Sequence, residues 1–500
     1  MILKKYNSFI LFFLGFFLFM FTRRSEIVPT IGIMIIIAPI FILRFIRTQP
    51  AKRGIWLTLL GFVLSLNIAL WGLFDVDNVL LRVINDLTRS SLLAILYFLP
   101  YLIDRLIYPK LKEKGILSTL TFPILTTAIF FLSSLEGPFD GAGMSSKFVY
   151  GSILLKQSLS LFGIWIFVLL SSWIVSIINY AWEEGFKWKK IKKIAYVFLS
   201  ILLVLLLFGI SKTNFVDSQS ETVNVAAIVL IPQDGKAVTM DEIWTEKSFS
   251  PFEETVSKIE DLIKIAALNG AKIISSQEHA ITIPKKDEEK LKEEYQRIAK
   301  ENNVYLSITY SYYSIEEKGE NKHLLINNNG EIKLDYAKRY LLGLGSFGET
   351  GVFNKGPEII QSLDTPYGKI GISNCRDMDF LSFIRQAGKA DVDIMFSPSY
   401  DWPKSKGPSY QLRTIENGFS FVRPTYNGIS FAADYDGKIL AQMDSDKTSD
   451  GIMYANVPIK GIKTIYSIIG DLLGWLCVVG MFGFIILSTN KREIKLRKLS

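Results

Sequence analysis

The chain has 500 residues, 49% of them hydrophobic and 21% charged, with a mean hydropathy of +0.27. It is too long for one ordinary domain and too apolar for a string of soluble ones, so part of it belongs in lipid. Its formal charge of +8 is uneven: residues 216–460 carry 28 basic against 36 acidic residues and the remainder 28 against 12, which excludes a nucleic-acid binder and points to an acidic domain between basic, apolar flanks. Two cysteines, Cys375 and Cys477, and two histidines, His279 and His323, exclude a disulfide scaffold and a Cys- or His-rich zinc site. No metal or other cofactor is expected.

Apolar runs read as about eight membrane spans: Ser8 to Phe21, Ile27 to Leu43, Ile55 to Phe74, Leu92 to Ile107, Ile116 to Leu135, Leu159 to Tyr180, Ile194 to Ile210 and Ile465 to Leu487. Seven precede the polar domain and one follows it. Lys4 and Lys5 before a short first run suggest a signal peptide, but Arg23-Arg24-Ser25-Glu26 follows with no small-residue cleavage pattern, so the run reads as an uncleaved span. Alternating the spans puts twenty lysines and arginines on one side, in clusters such as Lys187 to Lys193 and Lys491 to Lys498, against about eight on the other. The positive-inside rule then places both termini in the cytoplasm and the acidic domain outside it. Asp75, Asp77, Asp104, Glu136 and Asp140 read as span-edge or loop residues, which argues against a transporter. The expected organisation is a seven-helix membrane domain at 1–212, a domain outside the cytoplasm at 213–462, a transmembrane helix at 463–489 and a basic cytoplasmic tail at 490–500.

Within the polar domain, strand and helix patterns interleave for about 240 residues, enough for one α/β domain with a two-layer core. Thr222 to Ile231 and Lys272 to Ser276 read as strands, Glu253 to Leu268 and Asp287 to Asn302 as helices, and Val304 to Tyr313 as a strand. Hairpins turn at Asn329-Gly330, Tyr367-Gly368 and Asp436-Gly437. Further helices are expected at Asp379 to Gly388 and Ser409 to Asn417, with a strand at Val392 to Ser397.

Three chemically capable residues end elements of this domain. Cys375 follows a buried strand at a turn into a helix, where backbone N–H groups and the helix dipole lower a thiol pKa and hold an oxyanion. Glu278 ends a strand in SSQEHA and can take and return a proton; Lys338, after the Asn-Gly hairpin in DYAKRYLLGLGSFGET, can stabilise an oxyanion. A lone cysteine is more often a core residue, and a lone glutamate or lysine a solvated one.

In the order Glu, Lys, Cys, together with the YAKR segment and the FGE after it, these residues resemble the triad of the nitrilase, or carbon-nitrogen hydrolase, superfamily over about Thr222 to Pro458. With its membrane spans the whole chain resembles the bacterial apolipoprotein N-acyltransferase family. That resemblance implies a polytopic α-helical membrane domain plus an αββα nitrilase-like sandwich outside the bacterial cytoplasmic membrane. The implied activity moves a fatty acyl chain from a phospholipid to the N-terminal amine of a lipoprotein. The same resemblance makes Cys375 the nucleophile, Glu278 the general base and acid, Lys338 the oxyanion stabiliser and Glu349 the second glutamate near the centre. Three departures stand out: Arg376-Asp377 follows the cysteine in place of a Tyr-Glu pair, the Gly-rich stretch Gly343 to Gly345 puts Glu349 eleven residues after Lys338, a few more than is usual, and Gln277-Glu278-His279 replaces Pro-Glu-Thr. Arg376 is expected to position substrate, its N–H serving an oxyanion and its guanidinium either a lipid phosphate or, in the alternative, a surface pair with Asp377 or Asp379. The alternative activity is a membrane-anchored amidase.

Overall fold

The structure, a computed structural model, describes residues 2–22, 29–71, 79–135, 143–149, 151–215, 220–230, 249–313, 317–343, 348–405, 410–445, 447 and 451–489. Arg23, Arg24, Asp75, Asp77, Glu136, Asp140 and the 490–500 tail lie outside them. The chain divides into two compact units, one comprising 1–158, 162–211 and 471–500, the other 159–161 and 212–470.

Among the described residues six helices are long and apolar enough to cross a membrane: Ala51–Ala69, Arg82–Leu111, Ile116–Leu135, Trp165–Glu183, Trp188–Asn214 and Leu472–Thr489. The eight expected spans are therefore not all supported. The apolar stretch Ser8–Met20 and the 15-residue helix Met34–Thr48 are short for a hydrocarbon core about 30 Å thick. Pro50 ends the latter by holding Gln49 extended (φ −83°, ψ 157°), then caps the start of the next helix. Asp104, expected at a span edge, instead lies inside the Val79–Leu111 helix and is fully buried. Arg47 grips it through two hydrogen bonds of 2.8 and 2.9 Å, and the Thr121 hydroxyl donates a third at 3.0 Å. A paired carboxylate of this kind fastens helices together.

The second unit has two seven-stranded sheets. In chain order the strands are β1 Thr222–Ile228, β2 Ile273–Ser276, β3 Thr282–Pro284, β4 Tyr305–Tyr313, β5 Glu320–Ile326, β6 Ile332–Ala337, β7 Gln361–Thr365, β8 Gly368–Ile372, β9 Ile394–Phe396, β10 Ser399–Ser405, β11 Ser420–Arg423, β12 Thr425–Ala433, β13 Ile439–Asp444 and β14 Ile452–Pro458. One sheet runs β14-β1-β2-β4-β5-β6 with β3 beside β4; the other runs β10-β12-β11-β9-β8-β7 with β13 beside β12. Alternation along β1 shows the layering. Val225 and Ala227 join Ile370, Ile372 and Phe421 in the core between the sheets, while Ala226 and Ile228 meet Ile259 and Ile263 of the Phe252–Leu268 helix. That helix and Glu288–Asn302 cover one sheet, and Leu381–Lys389 packs on the other, giving an αββα sandwich. The last apolar run is not continuous: Ile465–Ile469 stops at Gly470, whose φ of 64° suits glycine, and the long helix starts at Leu472.

Candidate active site

Glu278, Lys338, Glu349 and Cys375 each sit just past the end of a strand or at the start of a short turn. Glu278 follows β2, Lys338 follows β6, Glu349 opens the single turn Glu349–Val352, and Cys375 opens a 3-10 turn after β8. Lys338 Nζ lies 2.8 Å from Glu278 Oε1 and 2.8 Å from Glu349 Oε1, all three side chains being 3% exposed or less. The other carboxylate oxygens are held by main chain: Glu278 Oε2 accepts from the Tyr400 N–H at 2.9 Å, and Glu349 Oε2 from the Leu342 N–H at 2.7 Å. Asn321 ties the two acids together, its Nδ2 lying 2.8 Å from Glu278 Oε1 and 3.2 Å from Glu349 Oε1. Its Oδ1 accepts from Asn374, the residue before the cysteine, at 3.2 Å.

Burial alone would strip the Lys338 ammonium of its proton, but Glu278 and Glu349 outweigh it and hold its pKa well above the ordinary lysine range. Burial likewise favours a protonated Glu349, yet the Lys338 ammonium, with His279, holds that carboxyl well below the usual range. The cysteine differs from expectation. Its thiol is pushed up, first by burial and then by the Glu278 charge, with Lys338 pulling the other way. The turn that Cys375 opens is a five-residue 3-10 turn, too short for the helix dipole to offset that desolvation. Such a thiol needs a base to take its proton, and Glu278 is within electrostatic reach.

Two residues here hold left-handed backbone, Cys375 at φ 42° and His279 at φ 53°. For side chains other than glycine this costs about 1 kcal/mol or more, and such strain gathers at sites that need a side chain aimed against its local preference. Asp377 secures the cysteine turn by accepting from the Tyr336 hydroxyl at 2.7 Å and the N–H groups of Asn374 and Tyr340 at 2.9 and 2.8 Å. Arg376 does not extend a free fork: it is 9% exposed, and its Nη1 donates to the Leu341 carbonyl at 2.8 Å. Glu278, His279 and Glu349 have ligand atoms within 4.8 Å of one another, as a cation site requires. The Lys338 ammonium already bonds both carboxylates and supplies the positive charge there.

The family model for carbon-nitrogen hydrolases matches residues 227–466. Those residues are a carbon-nitrogen hydrolase domain. Among relatives of the hydrolase domain, a deaminated glutathione amidase of Dictyostelium discoideum is 31% identical over 140 residues, covering 25% of this chain and 47% of its own length. An apolipoprotein N-acyltransferase of Chlamydia caviae is 25% identical over 142 residues, 25% of this chain and 26% of that protein. The chain thus spans less than half the length of either. An amidase structure from Nesterenkonia sp. superposes at 15% identity and a TM-score of 0.39, covering 48% of this chain and 92% of its own.

Sequence patterns did not single out Asn321, His279 or the Tyr400 N–H. Asn321 is a buried polar residue within a strand, and its in-plane alternation with Lys322 and His323 reads as an ordinary strand face. The one local signal was polarity at a position the pattern otherwise buries.

Proposed function

We propose that this chain is a membrane acyltransferase that carries a fatty acyl group from a phospholipid, through a Cys375 thioester, to the N-terminal amine of a lipoprotein or another amine acceptor. The observation that carries this reading is the joining, in one chain, of a half-buried Cys375 and the buried Glu278, Lys338 and Glu349 to long apolar helices directly before and after the domain, Trp188–Phe215 and Leu472–Thr489. Donor and acceptor both move in a bilayer, so a domain anchored by both its ends meets them at raised effective concentration. A hydrolase of soluble amides gains nothing from that arrangement. The N-acyltransferase relative supports the same reading.

In the first half-reaction Glu278 takes the Cys375 proton, sulfur attacks the ester carbonyl, and Lys338 stabilises the oxyanion. The bond to the glycerol oxygen breaks, Glu278 returns the proton to it, and a lysophospholipid leaves. In the second, the acceptor amine attacks the thioester, gives its proton to Glu278, and the thiol is restored. Glu349 remains ionised and balances the lysine. The domain faces the outside of a bacterial cytoplasmic membrane on this reading, as the charge distribution of the flanks supports.

A membrane-anchored amidase is the second reading, favoured by the higher identity of the amidase relative. Mass spectrometry of the products separates them. Acyl transfer yields a lysophospholipid and an acceptor amine heavier by one acyl chain; release of ammonia or a free amine from a soluble amide, with no acylated product, identifies the amidase.

A further inference from the structure

Cys375 is pinned to the start of β10 by its own backbone, its N–H donating to the Pro398 carbonyl at 2.8 Å. The next residue, Ser399, is fully buried, and its Oγ lies 3.1 Å from Cys375 Sγ and 2.9 Å from Asp401 Oδ1. Arg423 of β11, 1% exposed, donates to that same Oγ from Nη2 at 2.8 Å and bridges Asp401 at 2.7 and 3.1 Å. A hydroxyl has one hydrogen, so Ser399 donates either to the carboxylate or to the sulfur at any moment. The Arg423 donor fixes the oxygen and leaves the O–H free to rotate between those two acceptors.

We propose that Ser399 is a catalytic residue of this site, its hydroxyl turning from Asp401 to Cys375 Sγ to stabilise the thiolate as the thiol proton passes to Glu278. The proposal rests on the reading of Cys375 as the nucleophile and goes beyond the Glu-Lys-Cys set. The proton balance is simple: the S–H bond breaks, Glu278 gains the proton, and the Ser399 O–H bond stays intact while its hydrogen bond changes partner. The need for such a donor is physical. Burial and Glu278 oppose the thiolate, Asp401 opposes it too, and Lys338 is shared with two carboxylates. Charged or titratable groups facing the sulfur are Glu278 beyond β2, Lys338 beyond β6, Asp401 on β10, Arg423 on β11 and Tyr410 before the Leu412–Asn417 helix. Arg423 itself favours the thiolate, and Ser399 stands between that guanidinium and the sulfur, relaying its pull through a hydrogen bond.

The test uses the full-length chain in phospholipid vesicles and reads the rate of Cys375 alkylation by iodoacetamide as a function of pH, by mass spectrometry of the Cys375 peptide. Alkylation reports thiolate and requires no substrate. Ser399→Ala is expected to slow it about tenfold at each neutral pH, the scale of one hydrogen bond to a charged group, and Ser399→Thr to restore it. Alkylation in Ser399→Ala at the wild-type rate overturns the proposal, as does equal slowing in both variants, which marks a packing effect instead of a hydroxyl effect. Acyl transfer that survives Cys375→Ala overturns the nucleophile reading separately and leaves the alkylation comparison as it is.

Discussion

His323 sits behind the cysteine turn, fully buried on β5. Its Nδ1 lies 3.0 Å from the carbonyl of Ser373, two residues before Cys375, and its Nε2 lies 2.7 Å from the Ser307 hydroxyl. Nδ1 must therefore carry the proton, and the imidazole is neutral. Burial lowers its pKa from 6.5 to about 4. The folded value lies below the unfolded one, so the unfolded chain binds more protons between about pH 4 and 6.5. The contribution of His323 is complete above pH 6.5 and is lost as pH falls to about 4, a change of about 3 kcal/mol. Asp377 acts oppositely: burial pushes it up to about 6, so its effect on stability worsens as pH rises through that window. The difference between wild type and His323→Asn isolates the histidine. It should shrink by about 3 kcal/mol between pH 6.5 and 4, measured by hydrogen exchange of β5 and β8 in the full chain; a constant difference contradicts this account. Glu278, Lys338 and Cys375 were legible in sequence because each ends an element. Ser399, Asn321 and His279 were not, because their roles come from strands distant in the chain converging on one point.

At the scale of elements, the segment after Phe353 is laid against the end of β6. The Gly356 N–H donates to the Lys338 carbonyl at 2.9 Å, and a Cβ on Gly356 would fall 1.7 Å from the Ala337 carbonyl oxygen. No side chain fits without moving the backbone that carries Lys338. Gly356→Ala should cost about 1–3 kcal/mol in thermal unfolding of the domain. It should also slow Cys375 acylation by roughly a hundredfold, because the ammonium would shift relative to the reacting carbonyl. A variant with wild-type stability and rate contradicts the role given to this contact. Of the strands up to β9, all but β3 were legible from apolar patterning and Asn-Gly or Tyr-Gly turns. β3, β10, β11 and β14 were missed: SYDWPKS carries a proline and charges, and the three residues TIP and four residues SFVR are too short to show a period. Gly470 likewise breaks the last apolar run at a place where hydropathy alone shows continuity.

For the whole molecule, hydropathy located the long helices but not which of them span. Among the described residues five of the six long apolar helices precede the domain, against seven of eight apolar runs in the sequence. Both numbers are odd, so either count is compatible with the proposed orientation, in which the domain lies opposite the N-terminus. A reporter active only outside the cytoplasm should work when fused after Lys212 and stay silent when fused after Lys193, following the cation asymmetry of the flanks. The opposite pattern contradicts the orientation. The most direct test of the account is to incubate the full-length protein with a phospholipid bearing an alkyne-tagged acyl chain and locate the label. The account predicts a hydroxylamine-labile thioester on Cys375, retained in Cys477→Ser, whose thiol is buried in the last helix, and absent in Cys375→Ala. Undiminished label in Cys375→Ala, or no label on a wild-type protein that releases amine from soluble amides, would contradict it.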